Sequence, residues 1–176
     1  MSDTFIAHND KYVASFDKGD LKLDVPNKKV VVVTCMDARI DPATQVGLGL
    51  GDAHILRNAG ASAREALRSI IVSQRFLGVR EVAIIHHTDC GLFSFELDNI
   101  EDRIKSEHPG NSGVAQAVDN VDFSALYLYK NLEDSVDGDV KWLKANPLLE
   151  EGTVVTGWVQ DTTTGKVMVP IPHEPE

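Results

Sequence analysis

The sequence predicts an α/β fold: a central, mainly parallel β-sheet flanked by helices, in a single domain over residues 1–176, with an N-terminal helical arm. Three observations carry this expectation. Short apolar runs at Lys29–Thr34, Ala53–Asn58 and Glu81–His87 read as strands, the first without the polar alternation of a half-exposed strand. Segments of helical periodicity separate them. No repeat, linker or low-complexity tract breaks the alternation. Strand, helix, strand, helix, strand in that order implies parallel pairing through right-handed crossovers.

Taken from the N-terminus, Phe5–Phe16 sets Phe5, His8, Tyr12 and Phe16 at helical spacing. It forms the core of an arm over residues 1–22, loosely attached because a polar, glycine-containing stretch follows it. Lys29–Thr34 is nearly all valine, as in a strand covered on both faces, and belongs centrally in the sheet. Asp41-Pro42 supplies an N-cap and a proline at the first helical position, so a short helix is expected to about Leu48. Ala53–Asn58 is the second strand. Ser62 and Glu65 form a capping box opening a helix to about Leu77, with Ala66, Leu67, Ile70, Ile71 and Phe76 on its apolar face and Gly78 as its stop. Glu81–His87 is the third strand. A helix over Leu132–Ala145, stopped by Asn146-Pro147, and a strand over Thr153–Gln160 complete the pattern.

Composition narrows the partners. With 17 basic against 27 acidic residues the formal charge is −10, which disfavours polyanions, so no nucleic-acid partner is expected. The start "MSDTFIAHNDKY" has no basic segment followed by an apolar core, and no apolar run nears the roughly 18 residues of a membrane span. The expectation is a cytoplasmic protein without membrane contact. Only Cys35 and Cys90 are present, too few for a disulfide scaffold, which leaves one bridge or a ligand role.

Ligands of open parallel sheets gather beyond the carboxyl ends of the strands, where both Cys35 and the segment His87–Cys90 fall, within a core over residues 29–91. His87 and Cys90, three apart in a turn, can chelate one ion, and Cys35 from a neighbouring strand end adds a third ligand. Two thiolates and an imidazole favour zinc. No further cysteine exists, so a fourth position falls to water or a carboxylate, with Asp37 the nearest in sequence. Read alone, the same residues suit buried, inert thiols equally well. The pattern Cys35-x-Asp37-x-Arg39 sets a carboxylate beside an arginine fork, as a pair that orients chemistry at a metal or as a structural salt bridge at a helix start.

Other features carry plainer readings. Gly47–Asp52 is a turn, since it follows a helix and lacks the dinucleotide fingerprint. Asp137–Asp139 reads as a helix-start turn, and His86 as a packed histidine on the opposite face from His87. His8, His108 and His173 belong to no constellation.

Cys35-Met36-Asp37-Ala38-Arg39 with His87-Thr88-Asp89-Cys90-Gly91 resembles the paired signature of the β-class carbonic anhydrases, and "RNAG", Arg57–Gly60, resembles the family segment between them. The likeness spans Val30–Gly91 in order and spacing. It implies one Zn2+ per chain held by Cys35, His87 and Cys90, with Asp37 accepting a hydrogen bond from the zinc-bound water or, in a closed state, replacing it. Arg39 then draws Asp37 away in the open state. The implied activity is zinc-hydroxide chemistry: hydration of carbon dioxide to bicarbonate, or hydrolysis of carbonyl sulfide or carbon disulfide by short members of the same family. A closed, non-catalytic zinc site and a metal-free binding module are the competing classes.

The likeness also implies a homodimer or higher even oligomer paired through N-terminal arms. Substrate-binding candidates are Gly91, whose amide has no side chain beside it, and His54 and Val72. The last two stand where the plant-type pattern has an aromatic residue and a tyrosine, and Pro26 stands near the place of its glutamine. These departures make the pocket less polar and set carbonyl sulfide beside carbon dioxide as a candidate substrate. His54 has a further reading as a proton shuttle.

Overall fold

The computed structural model describes residues 2–94 and 99–168, so His173 lies outside the described residues. Five strands form one sheet: β1 (Val30–Cys35), β2 (Ala53–Asn58), β3 (Glu81–His87), β4 (Val154–Gln160) and β5 (Val167–Met168). Their order is β2-β1-β3-β4-β5, parallel throughout except for β5, which runs antiparallel to β4. β1 is interior and every one of its residues is buried, as an unbroken valine run demands.

The valines of β1 alternate between two apolar layers. Val31 and Val33 face Ala63, Ala66 and Ile70 of α3 (Ala63–Leu77) and Val140 and Leu143 of α7 (Leu132–Lys144). Val30 and Val32 join Ala83 and Ile85 on the other face, against Val46, Leu48, Ile55 and Trp158. Fully burying each such side chain stabilises by about 1.5–3 kcal/mol, so register along β1 is tightly held.

Caps formed where the sequence placed them. Ser62 Oγ accepts from Glu65 N at 3.4 Å, and Gly78 closes α3 with φ +62°. The Asp41 side chain caps α2, but this helix covers only Pro42–Gln45 instead of reaching Leu48, because Gly47 turns left-handed at φ +67°. Asp137–Asp139 starts no helix. It lies inside α7, where Gly138 admits the Tyr129 ring and Asp139 is buried.

Three further helices have no counterpart in the periodicity reading: α4 (Gly91–Ser94), α5 (Ile100–Glu107) and α6 (Ser112–Asp119). α5 fully buries no residue, and it and α6 are announced by Asn99 and Asn111, whose side chains accept from the amides of their first turns. The N-terminal α1 covers Ser2–Val13, ending short of Phe16, and leaves Phe5, Ile6, Tyr12 and Val13 exposed. Among the described residues no helix is long and apolar enough to cross a membrane.

Candidate metal centre

Parallel pairing of β1 with β3 sets their carboxyl ends side by side, with Thr34 opposite Ile85. Cys35 is the last residue of β1 and His87 the last of β3, and Cys90 follows after a two-residue turn. Their ligand atoms all lie within 4.8 Å of one another, and all three residues are buried. His87 Nδ1 stands 2.9 Å from the Thr88 carbonyl, which can only accept, so the proton sits on Nδ1 and the lone pair on Nε2. That Nε2 is buried without a hydrogen-bond partner. An orphan buried nitrogen costs free energy unless something satisfies it, and here it faces two sulfurs. The donor set fits a borderline cation such as zinc.

The two sulfurs act on each other's ionisation in opposite directions. The Cys90 side chain, hydrogen-bonded to the Cys35 sulfur, draws the Cys35 thiol well below a free cysteine's range; burial opposes this, and His87 and the backbone at Asp37 and Gly60 reinforce it. The same contact, with burial, pushes the Cys90 thiol up. Burial works against charge on His87, but Cys35, the Thr88 carbonyl and Asp37 together outweigh it and the net shift is upward. A dication at this point would remove the conflict by stabilising both thiolates and a neutral imidazole together.

Beside the donors, Asp37 lies in the fork of Arg39, with Nε 3.0 Å from Oδ1 and Nη2 2.8 Å from Oδ2, and the Arg39 amide also donates to Oδ1 at 2.8 Å. Arg39 holds the Asp37 carboxyl far below the usual carboxylate range. Asp37 Oδ2 is 4.0 Å from His87 Nε2, so the acid stands at the edge of the donor set while turned toward the arginine. Arg39 also reaches across to the β3 turn, donating from Nη1 to Asp89 Oδ2 at 2.7 Å.

Two contributors escaped the sequence reading. Asp89 has no role in the sequence beyond its place in the His87–Gly91 signature. Arg57, quoted only as part of "RNAG", donates to the carbonyls of Cys35 (3.1 Å) and Asp37 (2.7 Å) and so pins the Cys-Met-Asp turn. An arginine ending a strand next to the ligand-bearing one was the available signal. Ile40, Ala61, Leu92 and Phe93 pack around the sulfurs as an apolar wall. Gly60, at φ +70°, lets Leu92 close onto that wall, since a Cβ there would collide with the Leu92 side chain.

Of the residues expected around a substrate, Gly91 follows Cys90 directly and opens α4. His54 and Val72 lie elsewhere in the chain. His54 pairs with Val31 whereas Cys35 pairs with Asn58, four positions and so about 13 Å further along the strands. Both line a groove of about 500 Å³ between β2 and α3, where His54 Nδ1 contacts Ser73 Oγ at 2.9 Å. His86 is on the face opposite His87, with Nδ1 2.9 Å from Ser135 Oγ and Nε2 3.5 Å from Asp139.

Comparison with known proteins agrees with this geometry. Residues 30–167 match the family model described as carbonic anhydrase. Beta-carbonic anhydrase 1 of Mycobacterium tuberculosis is 33% identical over 168 residues, covering 95% of this chain and 96% of its own length. Carbon disulfide hydrolase of Acidithiobacillus thiooxidans is 27% identical over 161 residues, covering 85% of this chain and 81% of the relative. A carbonic anhydrase structure from Glaciozyma antarctica superposes with a TM-score of 0.84 at 41% identity, covering 94% of this chain and 95% of that one. With the family model spanning most of the chain and relatives matching nearly end to end, this chain belongs to the β-carbonic anhydrase family.

Proposed function

We propose that this chain is a zinc enzyme that hydrates carbon dioxide to bicarbonate, with one Zn2+ held by Cys35, His87 and Cys90. The observation that carries the reading is the buried donor set with an unpartnered His87 Nε2, beside a carboxylate gripped by an arginine. Zinc bound there supplies a Lewis acid that makes water nucleophilic at neutral pH. Asp37, kept anionic by Arg39, accepts a hydrogen bond from the attacking water and aims it at the substrate carbon. Ile40, Ala61, Leu92 and Phe93 exclude bulk water and offer apolar contact to a linear substrate. The Gly91 amide, in a residue that carries no side chain beside Cys90, donates to a substrate oxygen.

His54 and Val72 reach a substrate at this centre only if another copy of the chain brings them there, so we assign the working form to a homodimer or higher even oligomer. Carbonyl sulfide or carbon disulfide is the second reading, favoured by the apolar wall and by relatives named carbon disulfide hydrolase. A methylene-sized change in such a wall discriminates by only about 1–3 kcal/mol, so both chemistries are expected on one preparation.

The test joins metal content to kinetics. Wild type should carry one zinc per chain, and Cys35→Ser and Cys90→Ser should each lose most of it. Turnover of carbon dioxide, carbonyl sulfide and carbon disulfide on the same zinc-loaded sample ranks the substrates. Silence toward all three at every pH would instead mark a closed site with Asp37 as a fourth ligand.

A further inference from the structure

The turn between His87 and Cys90 carries a carboxylate that the proposed chemistry leaves unused. Among the described residues Asp89 is one of three non-glycine residues in the left-handed region, at φ +53°, a conformation aspartate tolerates better than most. Held so, it presents two acceptors to one guanidinium: its Oδ2 takes Arg39 Nη1 at 2.7 Å and its carbonyl takes Nη2 at 2.8 Å. The remaining edge of Arg39, Nε with Nη2, faces the two oxygens of Asp37. Arg39 is thus a strut between the turn that follows Cys35 and the turn that contains Cys90. A guanidinium is planar and its five N–H groups point in fixed directions, so anchoring one edge on Asp89 fixes the direction of the edge that holds Asp37.

We propose that Asp89 is a positioning residue, setting through Arg39 how firmly Asp37 is held back from the metal centre. This rests on the zinc-enzyme reading above. Asp37 has two acceptable partners: the Arg39 fork, where it lies, and the donor set, whose His87 Nε2 is 4.0 Å from Oδ2. Without the Asp89 carboxylate, Nη1 loses its anchor, the fork turns more freely and Asp37 spends more time toward the metal. The Asp89 side chain is 70% exposed and that of Arg39 48%, so water screens the pair. The consequence is a population shift of about two- to fivefold and not an abolished activity.

Asp89→Gly and Asp89→Asn both tolerate the left-handed backbone; the first deletes the carboxylate and the second keeps an acceptor oxygen without its charge. The full chain is loaded with cobalt(II) in place of zinc, and its visible absorption, which differs between water and carboxylate ligation, is read beside the kcat and KM for carbon dioxide. Asp89→Gly should raise the ratio of carboxylate-ligated to water-ligated metal about two- to fivefold and lower kcat by no more than that factor, in step with the loss of the water-ligated fraction, with Asp89→Asn intermediate. In an Asp37→Asn background the Asp89 substitution should leave the spectrum unmoved. A wild-type chain that takes up no cobalt overturns the zinc-enzyme reading and this inference with it. A loaded, active wild type beside an Asp89→Gly spectrum that does not change, or one that still changes without Asp37, overturns the inference alone.

Discussion

Asp37 has an environment that determines its charge state. The hydrogen bonds from the Arg39 side chain and backbone, with the charges of Arg39 and His87, outweigh the opposing effect of burial, so the carboxyl stays ionised throughout the neutral range. Asp37→Asn preserves shape and can still meet part of the fork, but it carries no charge to orient water. The variant is expected to keep its zinc and lose about 100-fold or more in kcat, measured on samples of matched metal content. Its stability should also report the pair. A carboxyl whose folded pKa is depressed contributes stability that is fully present above its unfolded value of about 3.9 and is lost as pH falls through the folded value. The gap in unfolding free energy between wild type and Asp37→Asn should therefore be open at pH 7 and shrink below about pH 4. An equal gap at both would show that Arg39 does not set the ionisation of Asp37.

At the scale of elements, the site depends on how closely the layers pack behind it. β4 lies beside β3 and pairs through to His87, so any shift of α7 over β4 is felt at a ligand strand. Gly157 makes that contact possible: a Cβ there would stand 2.7 Å from Val136 Cγ1 and 2.9 Å from Val140 Cγ2, both in the buried face of α7. Gly157→Ala is expected to destabilise the fold by about 1–3 kcal/mol through overpacking, read from chemical denaturation. An unchanged midpoint would show that α7 moves away at no cost. β1 and β3 were legible because their burial on both faces leaves nearly unbroken runs of Val, Ile and Ala, and α3 because its cap, stripe and terminal glycine all agree. α5 and α6 were not, since each spans only eight residues and its apolar pair, Ile100 with Ile104 or Val114 with Val118, is too short a pattern to stand out beside the asparagine cap.

The whole molecule raises the matter of its arm. α1 exposes Phe5 at 66% and Ile6 at 63%, and residues on the β2 and α3 side, Val72 at 46% and Phe76 at 80%, are exposed as well. Apolar surface of that kind suits the homodimer proposed above, in which a second copy would supply both faces. Deleting residues 1–19 should lower the oligomer's mass in sedimentation and reduce turnover together. A monomer with undiminished activity would show that one chain builds the entire pocket and that His54 and Val72 serve packing alone.

By itself the sequence determined the α/β class, the order of the main strands and the identity of the donors, because these follow from short-range patterns: uniform apolar runs, caps, and chemically scarce residues at strand ends. Cys35, Asp37, Arg39, His87 and Cys90 were all readable as a constellation for that reason. Only the tertiary structure decided that Arg39 divides itself between Asp37 and Asp89, that Arg57 pins the Cys35 turn, and that His54 and Val72 line a groove away from the donors of their own chain. Those relations join residues far apart in sequence, up to 50 positions for Arg39 and Asp89, and no local period or spacing encodes them. They arise when parallel pairing of β1 with β3 brings two turns together, and side-chain geometry then selects which acceptors each guanidinium can meet.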